Sequence, residues 1–252
     1  MFLFSRCGPG VITGYKNPSG PSMLLNKLLN NPKGSRIMSY STGIVDGGKS
    51  LHIFVAGLGN APMPNTRHSI GQYIVSSLGT HFGIALRSTR GGHIGSGVVD
   101  LPSASGPVKI TLFKSKQLMN ASGPSIVQAY RAVLSQTGGA PKGSSNFVVL
   151  GDSISHTALK LSARLGGSAQ GHNGLKSISN ALGRAKDFWQ FRVGVGRGVD
   201  EDGASIIDKN IDAAEWVMGR LSEAEKEYWG VGGKGLDSVM AELGRVARQL
   251  ES

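Results

Sequence analysis

Residues 51–74 read LHIFVAGLGNAPMPNTRHSIGQYI, and this stretch decides the fold. Leu51–Ala56 is a short apolar run that ends at Gly57, the pattern of a buried strand feeding a glycine turn. Beyond the turn, Ile70, Tyr73, Ile74 and Leu78 recur at helical spacing, which predicts a helix over Ser69–Phe82. The unit is therefore a strand, a glycine turn, a polar loop and a helix. Two more strands follow: Val108–Phe113 (VKITLF), which alternates, and Phe147–Leu150 (FVVL), a buried run that again ends on a glycine, Gly151. Between them Ile126, Val127, Tyr130 and Leu134 share one helical face over Pro124–Leu134, and Phe191–Val195 (FRVGV) predicts a further strand.

Strands alternating with helices in this way argue for an α/β layer fold. We expect one three-layer domain, a twisted, mixed and mostly parallel sheet with helices on both faces. Ligands of such sheets bind outside the carboxyl ends of the strands. Near the C-terminus Ser222 and Glu225 have the spacing of a capping box, and Leu236, Val239, Met240, Leu243, Val246 and Leu250 form the apolar stripe of a packed helix.

Composition narrows the function classes. The chain has 252 residues, enough for a substantial core, and 38 of them are glycine, about twice the ordinary share, which suits turns and close backbone approaches. Its 27 Lys and Arg against 16 Asp and Glu give a net charge of +11, which draws a protein toward polyanions. The single cysteine, Cys7, excludes an intrachain disulfide and any site that needs two thiolates. Apolar runs fall short of the roughly 18–20 residues of a membrane-crossing helix, so no transmembrane segment is expected.

The charge is unevenly placed. Residues 1–45 hold Arg6, Lys16, Lys27, Lys33 and Arg36 and no acid, the composition of a mitochondrial transit peptide. We expect a basic leader over 1–45 and the folded domain over 46–252, with a mitochondrial location favoured over a cytoplasmic one. The domain itself remains basic.

Three loops carry polar side chains suited to chemistry. Gly57-Leu58-Gly59-Asn60 resembles the start of a dinucleotide fingerprint, but Pro62 stands where the third glycine belongs and no acid follows about 20 residues on. A strand-end turn presenting Asn60 is the better reading. Gly151-Asp152-Ser153 after FVVL could instead be a nucleophile block with Ser153 attacking an acyl carbon, yet the block lies in the middle of the chain and no histidine follows His172. His68 lies in Asn65-Thr66-Arg67-His68-Ser69, at a loop-to-helix junction where Thr66 or Ser69 could cap the helix. Gly166-Gly167-Ser168-Ala169-Gln170-Gly171-His172-Asn173-Gly174 is a tightly turned loop entering a helix, where backbone amides and Lys176 could meet phosphate.

Taken in order, Gly57 to Asn60, Thr66 to Gly71, Leu118 to Gly123, Val148 to Asp152, Gly166 to Leu175 and Phe191 to Gly196 make the chain resemble the bacterial-type peptidyl-tRNA hydrolases, esterases that free tRNA from prematurely released peptides. The resemblance spans most of residues 51–220. It implies that His68 is the catalytic base, that Asp152 orients it, and that Asn60, Asn120 and Asn173 line the site. It further implies that Met119, His172, Gly171 and Gly174 contact substrate and that Arg164, Lys176 and Arg192 hold tRNA. No metal or other cofactor is implied, the partner is peptidyl-tRNA through its acceptor stem and 3′ end, and a monomer without a stable protein partner is expected. A different class stays open, an RNA-binding protein on the same fold without the hydrolase activity.

The chain departs from the family at three places. Pro62-Met63-Pro64 fills a shortened loop before His68, as in the fungal branch. Gly151 and Ser153 flank Asp152 where histidine and glutamate are common, and extra residues around Thr137–Ser145 are expected to form a surface loop.

Overall fold

The computed structural model of the chain describes residues 51–137 and 145–252. The leader expected over 1–45 and most of the loop expected around 137–145 lie outside the described residues. A seven-stranded sheet runs through the rest. Its strands are β1 (His52–Gly57), β2 (Arg87–Ser88), β3 (Gly92–Val99), β4 (Val108–Ser115), β5 (Phe147–Ser153), β6 (Leu161–Leu165) and β7 (Trp189–Gly194), in the spatial order β2-β3-β4-β1-β5-β7-β6. The helices are α1 (Ile70–Phe82), α2 (Gly123–Thr137), α3 (Asn173–Ala181), α4 (Ala213–Met218), α5 (Glu223–Trp229) and α6 (Lys234–Glu251).

Alternation along the central strands sorts the core into two layers. Ile53 and Val55 of β1 and Val148 and Leu150 of β5 pack with Ile70, Ile74 and Leu78 of α1 and with the α6 stripe of Leu236, Val239, Leu243 and Val246. Phe54, Ala56, Phe147 and Val149 point the other way, against Ile126 and Val127 of α2 and Leu175 and Ile178 of α3. With about 1.5–3 kcal/mol gained per fully buried large apolar side chain, both faces must be covered, which gives the three expected layers.

The sheet is mixed, as expected, with its parallel pairs at the centre and its antiparallel pairs toward the edges. β4, β1, β5 and β7 run parallel, but β3 is antiparallel to β4, β2 to β3, and β6 to β7. The physical reason is exposure. β3 (GHIGSGVV) and β6 (LSARL) are largely half-buried or exposed, so neither shows the continuous apolar run of a strand covered on both faces.

Topology creates the crevice. The connection leaving β1 runs through α1 to the β4 side of the sheet, whereas the one leaving β5 runs to the β7 side, so the carboxyl ends of these adjacent strands part from each other. Helix α1 comes down hard on this junction. A methyl group on Gly71 would overlap the carbonyl oxygen of Leu150 and the backbone of Leu58, and one on Gly57 would overlap Gly71 itself. Glycine is required on both sides of that contact.

Candidate active site

The loop after β1 is held by hydroxyl groups. Ser69 Oγ accepts the Asn60 amide at 3.0 Å and donates to Met63 O at 2.8 Å, and Thr66 Oγ1 donates to the same carbonyl at 3.1 Å. Neither Thr66 nor Ser69 makes the side-chain helix cap that the sequence allowed. They fold the Pro-Met-Pro segment back instead, and so place the 3-10 turn Arg67–Ser69, with His68 at its centre, over the end of β5. Arg67 braces the turn from outside, its guanidinium 4.1 Å from the Trp216 ring centre and 3.4 Å from Glu225.

Asp152 stands one residue before the end of β5, 5% exposed. Its Oδ1 lies 2.9 Å from His68 Nδ1 and also 2.9 Å from His172 Nε2. The two rings are tilted, with centroids 5.3 Å apart. The tautomer of His172 follows from its other nitrogen, because Nδ1 faces the amides of Gly174 at 3.1 Å and Leu175 at 3.4 Å and so accepts as the N-cap of α3. An imidazole that accepts at Nδ1 carries its proton at Nε2, so His172 donates to Asp152. His68 donates to the same oxygen from Nδ1, leaving its Nε2 as the acceptor. Burial pushes the Asp152 carboxyl up, but His172, through charge and hydrogen bond, and then His68 outweigh it and hold the carboxyl well below the usual carboxylate range.

These three side chains bring their ligand atoms within 4.8 Å of one another, a spacing open to a metal ion. The His172 cap argues against that use. A metal on Nε2 would leave a ring that still accepts amides at Nδ1, hence an imidazolate, whereas a metal-ligating histidine ordinarily donates from its second nitrogen.

A cavity of about 440 Å³ opens beside the histidines. His68, Asp152, His172, Gly171 and Asn173 line it together, and Gly171 takes a left-handed φ of 88° that aims the following His-Asn pair inward. Arg192 also lines it, and the remaining expected site residues lie elsewhere. Asn60 is buried, its Oδ1 accepting the Met119 amide at 2.7 Å and its Nδ2 3.8 Å from Met218 Sδ, so it ties the loop after β1 to the turn at Met119 and to the end of α4. Met119 is buried, and Gly174 packs beneath the site against Leu58 and Met119, while Asn120 is exposed. Arg164 is exposed with its guanidinium over Gly167, and Lys176 is exposed beside a second cavity of about 280 Å³ that also borders Lys186.

Arg192, expected to hold tRNA, is engaged within the protein. It is 6% exposed, and its guanidinium donates to Gln170 Oε1, to Ser168 O at 2.8 Å and to Gln190 Oε1 at 2.8 Å. A buried guanidinium so engaged fixes the glycine loop from within. The glycine loop carries both Gln170 and Ser168, and thereby Arg192 supports the positions of His172 and Asn173.

The far wall was not foreseen. Ala213, Ala214, Val217 and Met218 of α4, with Ile154, give the cavity an apolar side. Asp212 caps α4 through Glu215 N at 2.8 Å, and the Asp-x-x-Glu spacing at 212–215 was the local signal for a helix start there. Ser153 also lines the cavity. Its hydroxyl is 2.8 Å from His156 Nδ1, but among the described residues no carboxylate pairs with that ring. The His68 ring has a buried acid on one nitrogen, and its other nitrogen, unlike that of His172, is not taken up by a helix cap.

The chain matches the family model described as peptidyl-tRNA hydrolase over residues 54–248. It is 34% identical over 183 residues to the peptidyl-tRNA hydrolase of Renibacterium salmoninarum, covering 69% of this chain and 80% of that one. To a Mus musculus protein named Probable peptidyl-tRNA hydrolase it is 32% identical over 143 residues, 57% of this chain and 65% of the mouse protein, a little under two thirds of that relative's length. The fold is that of the crystal structure of peptidyl-tRNA hydrolase from Acinetobacter baumannii, with a TM-score of 0.57 at 21% identity over 81% of this chain and 98% of that one. A peptidyl-tRNA hydrolase solved with N-propanol superposes with a TM-score of 0.59 at 22% identity, covering 81% of this chain and 94% of that one. A match across most of the described residues, together with this fold, decides the family: the chain belongs to the peptidyl-tRNA hydrolases.

Proposed function

We propose that the chain hydrolyses the ester joining a peptide, or another N-substituted aminoacyl group, to the terminal ribose of tRNA, with His68 as general base. The observation that carries this reading is the shared carboxylate oxygen: Asp152 Oδ1 takes Nδ1–H of His68, and His172, locked as a donor by the α3 amides, fills the oxygen's second site. His68 Nε2 is then the free acceptor, able to take a proton from water as that water attacks the ester carbonyl. The imidazolium so formed is stabilised by the ionised Asp152, and it returns its proton to the departing ribose oxygen.

Asn173 supports the same reading from the cavity wall. Its amide both donates and accepts, so it suits a peptide group or the developing oxyanion. The apolar α4 wall suits the side chain of the last peptide residue. Asn60 serves from behind, holding Met119 and Met218 in register. Arg164 and Lys176, both exposed, support phosphate binding on the β6 flank. We also propose that the protein acts as a monomer and that the acid-free residues 1–45 direct it to mitochondria, which a fluorescent fusion of those residues would test.

The decisive assay incubates wild type and His68→Ala with N-acetylaminoacyl-tRNA and with unacetylated aminoacyl-tRNA, following tRNA release. Hydrolysis confined to the acetylated substrate, and falling by roughly a hundredfold or more in His68→Ala while tRNA binding persists, is the expected result. Salt-sensitive tRNA binding without turnover by the wild type would mean an RNA-binding protein on this fold.

A further inference from the structure

Acidic residues are almost absent from the first half of the folded chain. Between residues 51 and 151 the only acid is Asp100, against Arg67, Arg87, Arg90, Lys109, Lys114, Lys116, Arg131 and Lys142. The fold then separates charge along the sheet. Asp100 follows β3 at the end where Val99 pairs with Val108, whereas Arg87, Arg90, Lys114 and Lys116 gather at the opposite end, where Gly92 pairs with Ser115. Eight residues of strand separate the two ends, about 25 Å. The basic end is the carboxyl edge of β4, the same edge as the active site, and Lys114 pairs in register with Gly57 at the end of β1.

The cations here are unneutralised and close together. Among the described residues none of Arg87, Arg90, Lys114 and Lys116 pairs with a carboxylate. The His93 ring is held below its ordinary range by burial and then by the charges of Lys114 and Lys116, which puts both near one side chain. Lys116 donates to Ser88 Oγ and Thr89 O at 2.7 Å each, so the β2–β3 turn that carries Arg90 is fixed. Arg90 in turn borders a cavity of about 570 Å³ with Gln117, Ser125 and Gln128. That groove abuts Ala121, one residue from Asn120 and two from Met119, whose amide is bonded to Asn60.

We infer that this groove and its rim, Arg87, Arg90 and Lys116, form a second binding site for the phosphodiester backbone of the substrate RNA, across the active site from Arg164 and Lys176. The inference rests on the function proposed above. A ribose ester held over His68 brings a polyanion to this edge of the sheet, and cations on both sides of the cavity straddle it. Guanidinium groups and the amides of Gln117 and Gln128 suit phosphate and sugar oxygens and read no base, which an enzyme serving many tRNAs requires.

The test compares Arg87→Gln/Arg90→Gln with wild type and with Lys234→Gln/Arg248→Gln, a pair of exposed positions on α6 with the same loss of charge. Binding of uncharged tRNA is measured across a salt series, and turnover is measured on N-acetylaminoacyl-tRNA and on the N-acetylaminoacyl ester of adenosine, which has no stem. The β2–β3 variant is expected to weaken tRNA binding about tenfold and to flatten the log–log salt slope by about 2, with KM rising on tRNA and no change on the adenosine ester. The α6 variant should stay near wild type. Equal effects in the two variants, or a wild-type salt slope in Arg87→Gln/Arg90→Gln, would overturn the inference. If the wild type turned over neither ester, the proposed function would fail, and the tRNA salt slopes would still decide whether this edge binds RNA.

Discussion

His172 donates from Nε2 to Asp152 at 2.9 Å while its Nδ1 caps helix α3. One ring thus joins the helix that carries Asn173 to the acid behind His68, and protonating it at Nδ1 would break the cap. His172→Asn separates the two roles, because asparagine is a good N-cap but too short to reach Asp152. Stability should change by less than about 1 kcal/mol, the scale of a cap, while turnover falls roughly tenfold or more as Asp152 loses a donor. Thermal melts and kcat on N-acetylaminoacyl-tRNA check both halves. Losing the hydrogen bond of His172 also removes one of the influences that hold the Asp152 carboxyl down.

Arg192→Lys distinguishes a loop anchor from a phosphate clamp. Lysine keeps the charge, but it cannot reproduce the fork that reaches Gln170, Ser168 and Gln190 at once. If the loop needs that fork, kcat should fall roughly tenfold or more and stability should drop by about 2–3 kcal/mol, since a charge is left buried with fewer partners. KM for tRNA and its salt dependence should change little. The opposite pattern, a preserved kcat with a raised and more salt-sensitive KM, would show Arg192 meeting phosphate directly.

Gly71 controls where His68 stands. Because a methyl group there would overlap the Leu150 carbonyl, Gly71→Ala must lift the first turn of α1 off the sheet, and His68 lies in the turn just before it. Backbone on both sides of the contact leaves little room to adjust, so a loss of about 3 kcal/mol is expected with most of the activity. Chemical denaturation and turnover measured together would reveal it. Ser76→Ala, a partly exposed position further along α1, should lose far less of either.

The central strands were legible because burial on both faces makes them apolar throughout, as in FVVL and LHIFVA. β3 and β6 were not, since a half-exposed strand rich in glycine and serine has no distinctive period. The same distinction runs through the site. His68, Asp152 and the Gly-His-Asn loop carry local motifs, so their meeting could be expected. Asn60 depends on Met218, 158 residues away, and the setting of Arg192 depends on glutamines at 170 and 190 that look like surface residues in isolation. Such roles arise only when strand order brings distant loops together.

His52 gives the fold a pH dependence separate from the active site. It is buried in β1, with Nε2 2.8 Å from Thr111 Oγ1 and Nδ1 without a partner. Burial first, and then the neighbouring charge of Lys109, lowers its pKa from 6.5 to about 4. The unfolded chain therefore binds this proton at a higher pH than the native one does. Stability from the neutral ring is fully present above the unfolded value and is lost as pH falls from about 6.5 toward 4, by an amount on the order of 3 kcal/mol. Asp152 acts at lower pH, since a depressed carboxyl keeps its contribution until the medium falls below the ordinary carboxylate range. Urea midpoints at pH 7 and pH 4.5 should therefore fall much further apart for wild type than for His52→Gln, which can keep a bond to Thr111 but cannot take up the proton. An equal fall in the two proteins would place the pH dependence elsewhere.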